Sequence, residues 1–191
     1  MKILDTERLT LRTIEPDDAA FYYELVTDPT WLEHIGDKGI RSVEGARRAI
    51  IDGPCLMQQK YGHSLYVMER KSDGAPLGLC GLIKRDSLPD VDIGYAIRPA
   101  YFGQGYTHEA ARAVVDYARV QLRLKRLLGI TAPGNHSSIQ LLGKLGFGFV
   151  ENKPLPPDNR STNIYCLEFP PLLCGPGIFR LRYWHLCPLS A

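Results

Sequence analysis

Gly103-Gln104-Gly105 stands between an alternating apolar stretch and a long amphipathic one, and that placement is the strongest chemical signal in the chain. A helix opening there leaves its first backbone N–H groups without intrahelical partners and turns the positive end of its dipole toward them. Glycine at both positions removes the Cβ atoms that would hold a phosphate off the backbone, and it permits positive φ. The chemistry on offer is anion binding, with a diphosphate as the natural guest. Two glycines alone also fit a plain flexible turn. Nucleotide hydrolysis loses support because no Gly-Lys-Ser/Thr follows. The dinucleotide fingerprint fails because its third glycine would fall at His108.

Other reactive side chains are scattered. His63 and His136 are neither spaced for a metal nor paired with a nucleophile, and no metal site is expected. The five cysteines are irregularly spaced without a C-x-x-C, which reads as free thiols in a reducing compartment, none placed for an acyl-enzyme. The chain opens Met-Lys-Ile-Leu-Asp-Thr-Glu-Arg without the apolar stretch of a signal peptide, and no run approaches a membrane span. A cytoplasmic protein without a membrane partner is the expectation. A formal net charge of +2 with dispersed basic residues gives no nucleic-acid footprint.

The elements that must position the turn follow from periodicity. Arg8 to Ile14 alternates as a strand, and a helix carrying Phe21, Tyr22, Leu25 and Val26 stops at Asp28-Pro29. A second helix runs Val43 to Ile51 and is expected to break at Gly53-Pro54. Strands at Ser64–Glu69, Leu77–Ile83 and Val91–Ile97 form an antiparallel meander that feeds the turn, and a helix follows from about Gly105 to Leu122. Then come a strand at Arg126–Thr131, a helix from about Ser137 closed by Gly146, and a final strand pair at Phe149–Glu151 and Asn163–Phe169. The proline-rich stretch Lys153–Ser161 reads as the loop between them. This gives an α/β (α+β) domain over 1–169, with about seven strands and about four helices. Residues 170–191 form an atypical tail, read as a docked arm, a dimer contact or an appendage.

The residues around the turn carry a resemblance. Ile93-Gly94-Tyr95-Ala96-Ile97-Arg98-Pro99-Ala100-Tyr101-Phe102-Gly103-Gln104-Gly105-Tyr106-Thr107-His108-Glu109-Ala110 resembles the acetyl-CoA signature of the Gcn5-related N-acetyltransferases (GNAT), in the branch of the ribosomal-protein N-terminal acetyltransferases (RimJ/RimL-like). The branch's later features also occur, as Asn135-His136-Ser137-Ser138 and Lys144-Leu145-Gly146-Phe147, and Thr6-Glu7-Arg8-Leu9-Thr10-Leu11-Arg12 is similar to its first strand. The likeness covers about residues 3 to 169. Ala100 departs from the Gln or Arg that many members carry there.

The resemblance implies a mostly antiparallel twisted sheet with splayed central strands, and acetyl-CoA as co-substrate. The acceptor would be a primary amine on a small molecule or a peptide N-terminus. It implies coenzyme contacts from Gly103, Gln104, Gly105, Tyr106 and Thr107 at the diphosphate, from Ile97 along the pantetheine arm, and from Asn135 and Ser138. Asp92 occupies the place of a Glu in the branch and is the candidate base, with substrate orientation or a solvated strand residue as the alternative. Ser138 is the candidate donor to the sulfur end. Tyr95 and Tyr165 follow as donors that core packing would equally explain, and an N-cap would equally explain Asn135. Trp31, Glu33, His34 and Asp37, expected in the loop between the first two helices, are acceptor-side candidates. A homodimer stays open, as does a coenzyme-A-binding sensor or scaffold that has lost turnover.

Overall fold

Leu9, Leu11, Tyr66 and Met68 alternate with residues of the opposite face, and in the computed structural model, which describes residues 1–156 and 158–171, these strands form one sheet with helices on both sides. The strands are β1 (Lys2–Asp5), β2 (Leu9–Thr13), β3 (Leu65–Arg70), β4 (Pro76–Ile83), β5 (Asp92–Ile97), β6 (Arg126–Thr131), β7 (Gly148–Leu155) and β8 (Arg160–Glu168). The helices are α1 (Ala19–Val26), α2 (Pro29–His34), α3 (Val43–Ile50), α4 (Leu56–Tyr61), α5 (Tyr106–Val120) and α6 (His136–Lys144). The eight-stranded sheet runs β1-β2-β3-β4-β5-β6-β8-β7. All neighbours are antiparallel except β5 and β6.

That parallel pair is short. Only Asp92↔Leu128 and Ile93↔Gly129 are in register, so beyond Ile93 the two strands part and their facing edges carry no ladder. The splay expected of the central strands is present, and it is what positions the site. The two faces of β5 separate accordingly. Ile93, Tyr95 and Ile97 pack with α5 residues Ala110, Ala111 and Val114 and with Leu142 of α6, whereas Ala96 packs with α1, α3 and Trp31.

Several boundaries differ from the sequence reading, each for a physical reason. β1 is an additional short edge strand on β2, and its four residues, Lys2–Asp5, are too few to show a period. Asp28-Pro29 does end α1, but Asp28 also caps α2, accepting from the Thr30 N–H at 2.8 Å with Pro29 in the first turn. Gly53-Pro54 does not end the second helix. Ile51–Cys55 forms a π-helical turn around Pro54 that leads into α4, and the left-handed Gly62 (φ 73°) stops the run. The loop expected over Lys153–Ser161 is mostly strand, with Pro154 opposite Ser161 on β7, an edge position where a proline lacking its N–H is tolerated. Among the described residues no helix is long and apolar enough to cross a membrane. Of the tail, residues 172–191 lie outside the described part.

Candidate active site

β5 hands the chain through a tight turn at Pro99–Tyr101 to Gly103 and Gly105, both left-handed at φ 73° and 80°. A Cβ on Gly103 would meet nothing within 4 Å, so the need for glycine there is conformational, and the turn's outer surface is open. Gly105 is the N-cap of α5 and has no side chain to cap with. The amides of Tyr106, Thr107 and His108 therefore have neither an intrahelical acceptor nor a cap, at the positive end of a 15-residue helix. Gln104 folds its amide back to the Ala100 carbonyl at 3.1 Å, so this residue offers its main chain, not its side chain. The residues present fit a diphosphate.

At the splay, Tyr95 and Ser138 meet: their hydroxyls lie 2.8 Å apart, and the tyrosine oxygen also lies 3.4 Å from the Ser138 carbonyl. Asn135 is the reason Ser138 stands there. Its Oδ1 accepts from the Ser138 N–H at 3.0 Å and from the Ser137 hydroxyl at 2.9 Å, capping α6. That cap uses the oxygen of Asn135 and leaves its amide nitrogen as the group that could meet another ligand. Burial pushes the Tyr95 phenol up to about 12, so it stays protonated and acts as a donor. Two hydroxyls that share one hydrogen bond keep one O–H free for a third group. Tyr165 is instead a packing residue, edge-on to Phe149 at 5.6 Å.

Asp92 is wholly buried, which excludes the solvated reading. It lies where β5 and β6 still pair, and by strand alternation it belongs to the face of Gly94 and Ala96, opposite Tyr95. Its partner Arg85, which no motif or period marks in the sequence, donates Nε to Oδ1 at 2.9 Å from the loop after β4, while Oδ2 has no partner among the described residues. Burial raises the carboxyl to about 6 even against the arginine's opposite pull. A carboxylate half-protonated near pH 6, with one oxygen unengaged, has the properties of a general base.

The expected acceptor loop divides. Trp31 is on α2, not in a loop, and its ring is buried with Phe21, Tyr22, Ile40 and Ala46, so it is a core residue. Glu33 is exposed, and His34 is half-buried in the last turn of α2. Asp37 is held by both terminal nitrogens of Arg41, which lowers its carboxyl to about 2 and matches its charge within the loop. Trp31 and Asp37 are thus engaged separately, the one in the core and the other with Arg41. Among the described cysteines, burial raises the thiols of Cys55, Cys80 and Cys166, and Cys80 is fully enclosed. Such thiols are poor nucleophiles.

The comparisons agree with this geometry. The family model described as acetyltransferase (GNAT) domain matches residues 8–148. Protein p20 of Bacillus licheniformis, an N-acetyltransferase by name, is 30% identical over 148 residues, spanning 77% of this chain and 83% of its own length. YkkB of Bacillus subtilis (strain 168) is 29% identical over 160 residues, 80% of this chain and 91% of that protein. Among solved structures, an acetyltransferase from Agrobacterium tumefaciens superposes with a TM-score of 0.75 at 23% identity, covering 88% of this chain and 95% of that one. RimL, a ribosomal L7/L12 alpha-N-protein acetyltransferase solved in complex with coenzyme A, gives a TM-score of 0.75 at 17% identity over 88% of this chain and 98% of its own. The splayed strands, the uncapped glycine turn and the matched family model together place this chain in the GNAT family of N-acetyltransferases.

Proposed function

We propose that the chain transfers the acetyl group of acetyl-CoA directly to a primary amine carried by a small molecule or a peptide N-terminus. The observation that carries this reading is the opening between β5 and β6, with a hydroxyl pair on one face and a buried carboxylate on the other. The amides at Gly103–Thr107 hold the coenzyme's diphosphate, and the unpaired edge of β5 up to Ile97 offers its main chain to the amides of the pantetheine arm. Thioester and amine exchange one bond: the C–N bond forms, the C–S bond breaks, and a proton leaves the nitrogen while the sulfur gains one.

Asp92 takes the amine's proton, through a water where the short side chain does not reach. The free O–H of the Tyr95–Ser138 pair supports the departing sulfur. Direct transfer is favoured because burial raises all three described thiols and fully encloses Cys80, so none is set up as an intermediate acyl carrier. Asn135 contributes by holding Ser138, with its amide nitrogen facing the coenzyme. Glu33 and His34 remain as rim residues on the acceptor side.

Replacing Ser138 by Ala and measuring turnover beside acetyl-CoA affinity tests the assignment. Turnover should fall about 10- to 100-fold while the coenzyme dissociation constant changes little, and equal loss in both would contradict a role at the sulfur.

A further inference from the structure

Thr6 to Arg8, the link between β1 and β2, reaches across to the first turn of α5. Glu109 Oε1 accepts from the Thr6 hydroxyl and from the Arg8 backbone N–H at 2.8 Å, and Oε2 accepts from Arg8 Nε at 2.7 Å. Arg8 Nη1 donates to the Gln104 carbonyl at 3.0 Å, and the guanidinium lies over the Tyr106 ring at 4.3 Å from its centroid. Its other terminal nitrogen is 3.4 Å from where a Cβ on Gly105 would stand. One arginine thus contacts Gln104 and Tyr106, lies beside Gly105 and is itself held by Glu109.

A trans peptide points its C=O and N–H in opposite directions. With the Gln104 carbonyl turned to Arg8, the N–H of Gly105 faces away from Arg8, toward the open side of the turn. Charge is not what the pair supplies, since Glu109 offsets Arg8 at close range. It supplies order: a Gly-Gln-Gly turn left alone samples many conformations, and fixing them at the moment of binding opposes affinity.

We propose that Arg8, fixed by Glu109 and Thr6, is a positioning residue that presents the Gly105 N–H to the coenzyme diphosphate, making the β1–β2 link part of the coenzyme site. The assignment rests on the reading of Gly103–Thr107 as the diphosphate cradle. The fork of the guanidinium matters because a single ammonium cannot span Glu109 and the Gln104 carbonyl together.

Calorimetric titration of the full chain with coenzyme A, dephospho-coenzyme A and S-acetylpantetheine tests it, on wild type, Arg8→Ala, Arg8→Lys and Glu109→Gln. The last variant removes the acceptor of the Arg8 Nε contact together with the carboxylate charge, keeps an oxygen for Thr6 and the Arg8 N–H, and guards against a misfolded Arg8→Ala. Arg8→Ala should weaken coenzyme A and dephospho-coenzyme A equally, by about tenfold, and leave S-acetylpantetheine unchanged. Arg8→Lys should stay within about twofold of Arg8→Ala, and Glu109→Gln should fall between Arg8→Ala and wild type.

Loss on coenzyme A alone would assign Arg8 to the 3′-phosphate and overturn the proposal. So would loss on all three ligands, which would mean general damage, and so would full rescue by Arg8→Lys, which would mean charge and not geometry. If the wild type binds neither coenzyme form, the cradle reading fails, and the role of Arg8 falls with it. Normal wild-type binding with no effect of Arg8→Ala overturns the Arg8 assignment alone.

Discussion

Asp92 combines complete burial, one engaged oxygen and a carboxyl raised to about 6. Its folded value lies above the ordinary aspartate value, so its stabilising contribution is full in acid and is lost as pH rises through about 6. Asp92→Asn should therefore gain stability relative to wild type as pH rises from about 4 to above 6, followed by thermal melting across that range. A gain in the opposite direction would mean that the Arg85 pair outweighs burial. The same substitution should remove the limb of the rate profile that rises through about pH 6, so stability and turnover move apart at one residue. Tyr95→Phe leaves Ser138 its own hydroxyl but removes the shared proton. A fall in kcat of about tenfold with an unchanged KM for acetyl-CoA is expected, measured by steady-state kinetics.

Among the elements, α6 shows how a cap serves a site. Asn135→Ala should cost about 1 kcal/mol of stability and also release Ser138 from Tyr95. Asn135→Asp, which keeps the accepting oxygen, should hold the stability and lose only what the amide nitrogen contributes. Melting temperature and coenzyme affinity, measured together, separate the two. The strand and helix periods made this part of the fold legible, along with the glycine turn, the meander and the splay that the family likeness implied. Contacts between distant segments were not legible. Arg8 and Glu109 lie 101 positions apart, each inside a quoted motif yet without a role until the fold joined them. Arg85 is separated from Asp92 by a loop whose path no period reveals. Trp31 falls between periodic stretches because burial of a single ring is decided by packing, and the sequence signals a break at Gly53-Pro54 and a loop over Lys153–Ser161 because it cannot show a π turn or an edge strand.

For the molecule as a whole, the described core closes at Phe169, whose N–H donates to the Lys125 carbonyl at 2.8 Å and whose ring packs against the α5 side of the sheet. We propose residues 1–169 as the acetyltransferase domain of this chain. A chain ended after Pro171 should keep the melting temperature and coenzyme affinity of the full chain. A changed mass in solution would assign residues 172–191 to assembly. A coenzyme-binding scaffold without turnover would share the cradle and the splay, so only chemistry separates it from an enzyme. The most direct measurement is release of the coenzyme A thiol from acetyl-CoA, followed with product mass over a panel of small amines and peptides. Amine-dependent thiol release matched by an equal amount of amide, and reduced in Tyr95→Phe and Ser138→Ala, is the expected result. Tight acetyl-CoA binding with no amine-dependent release across the panel would contradict the account.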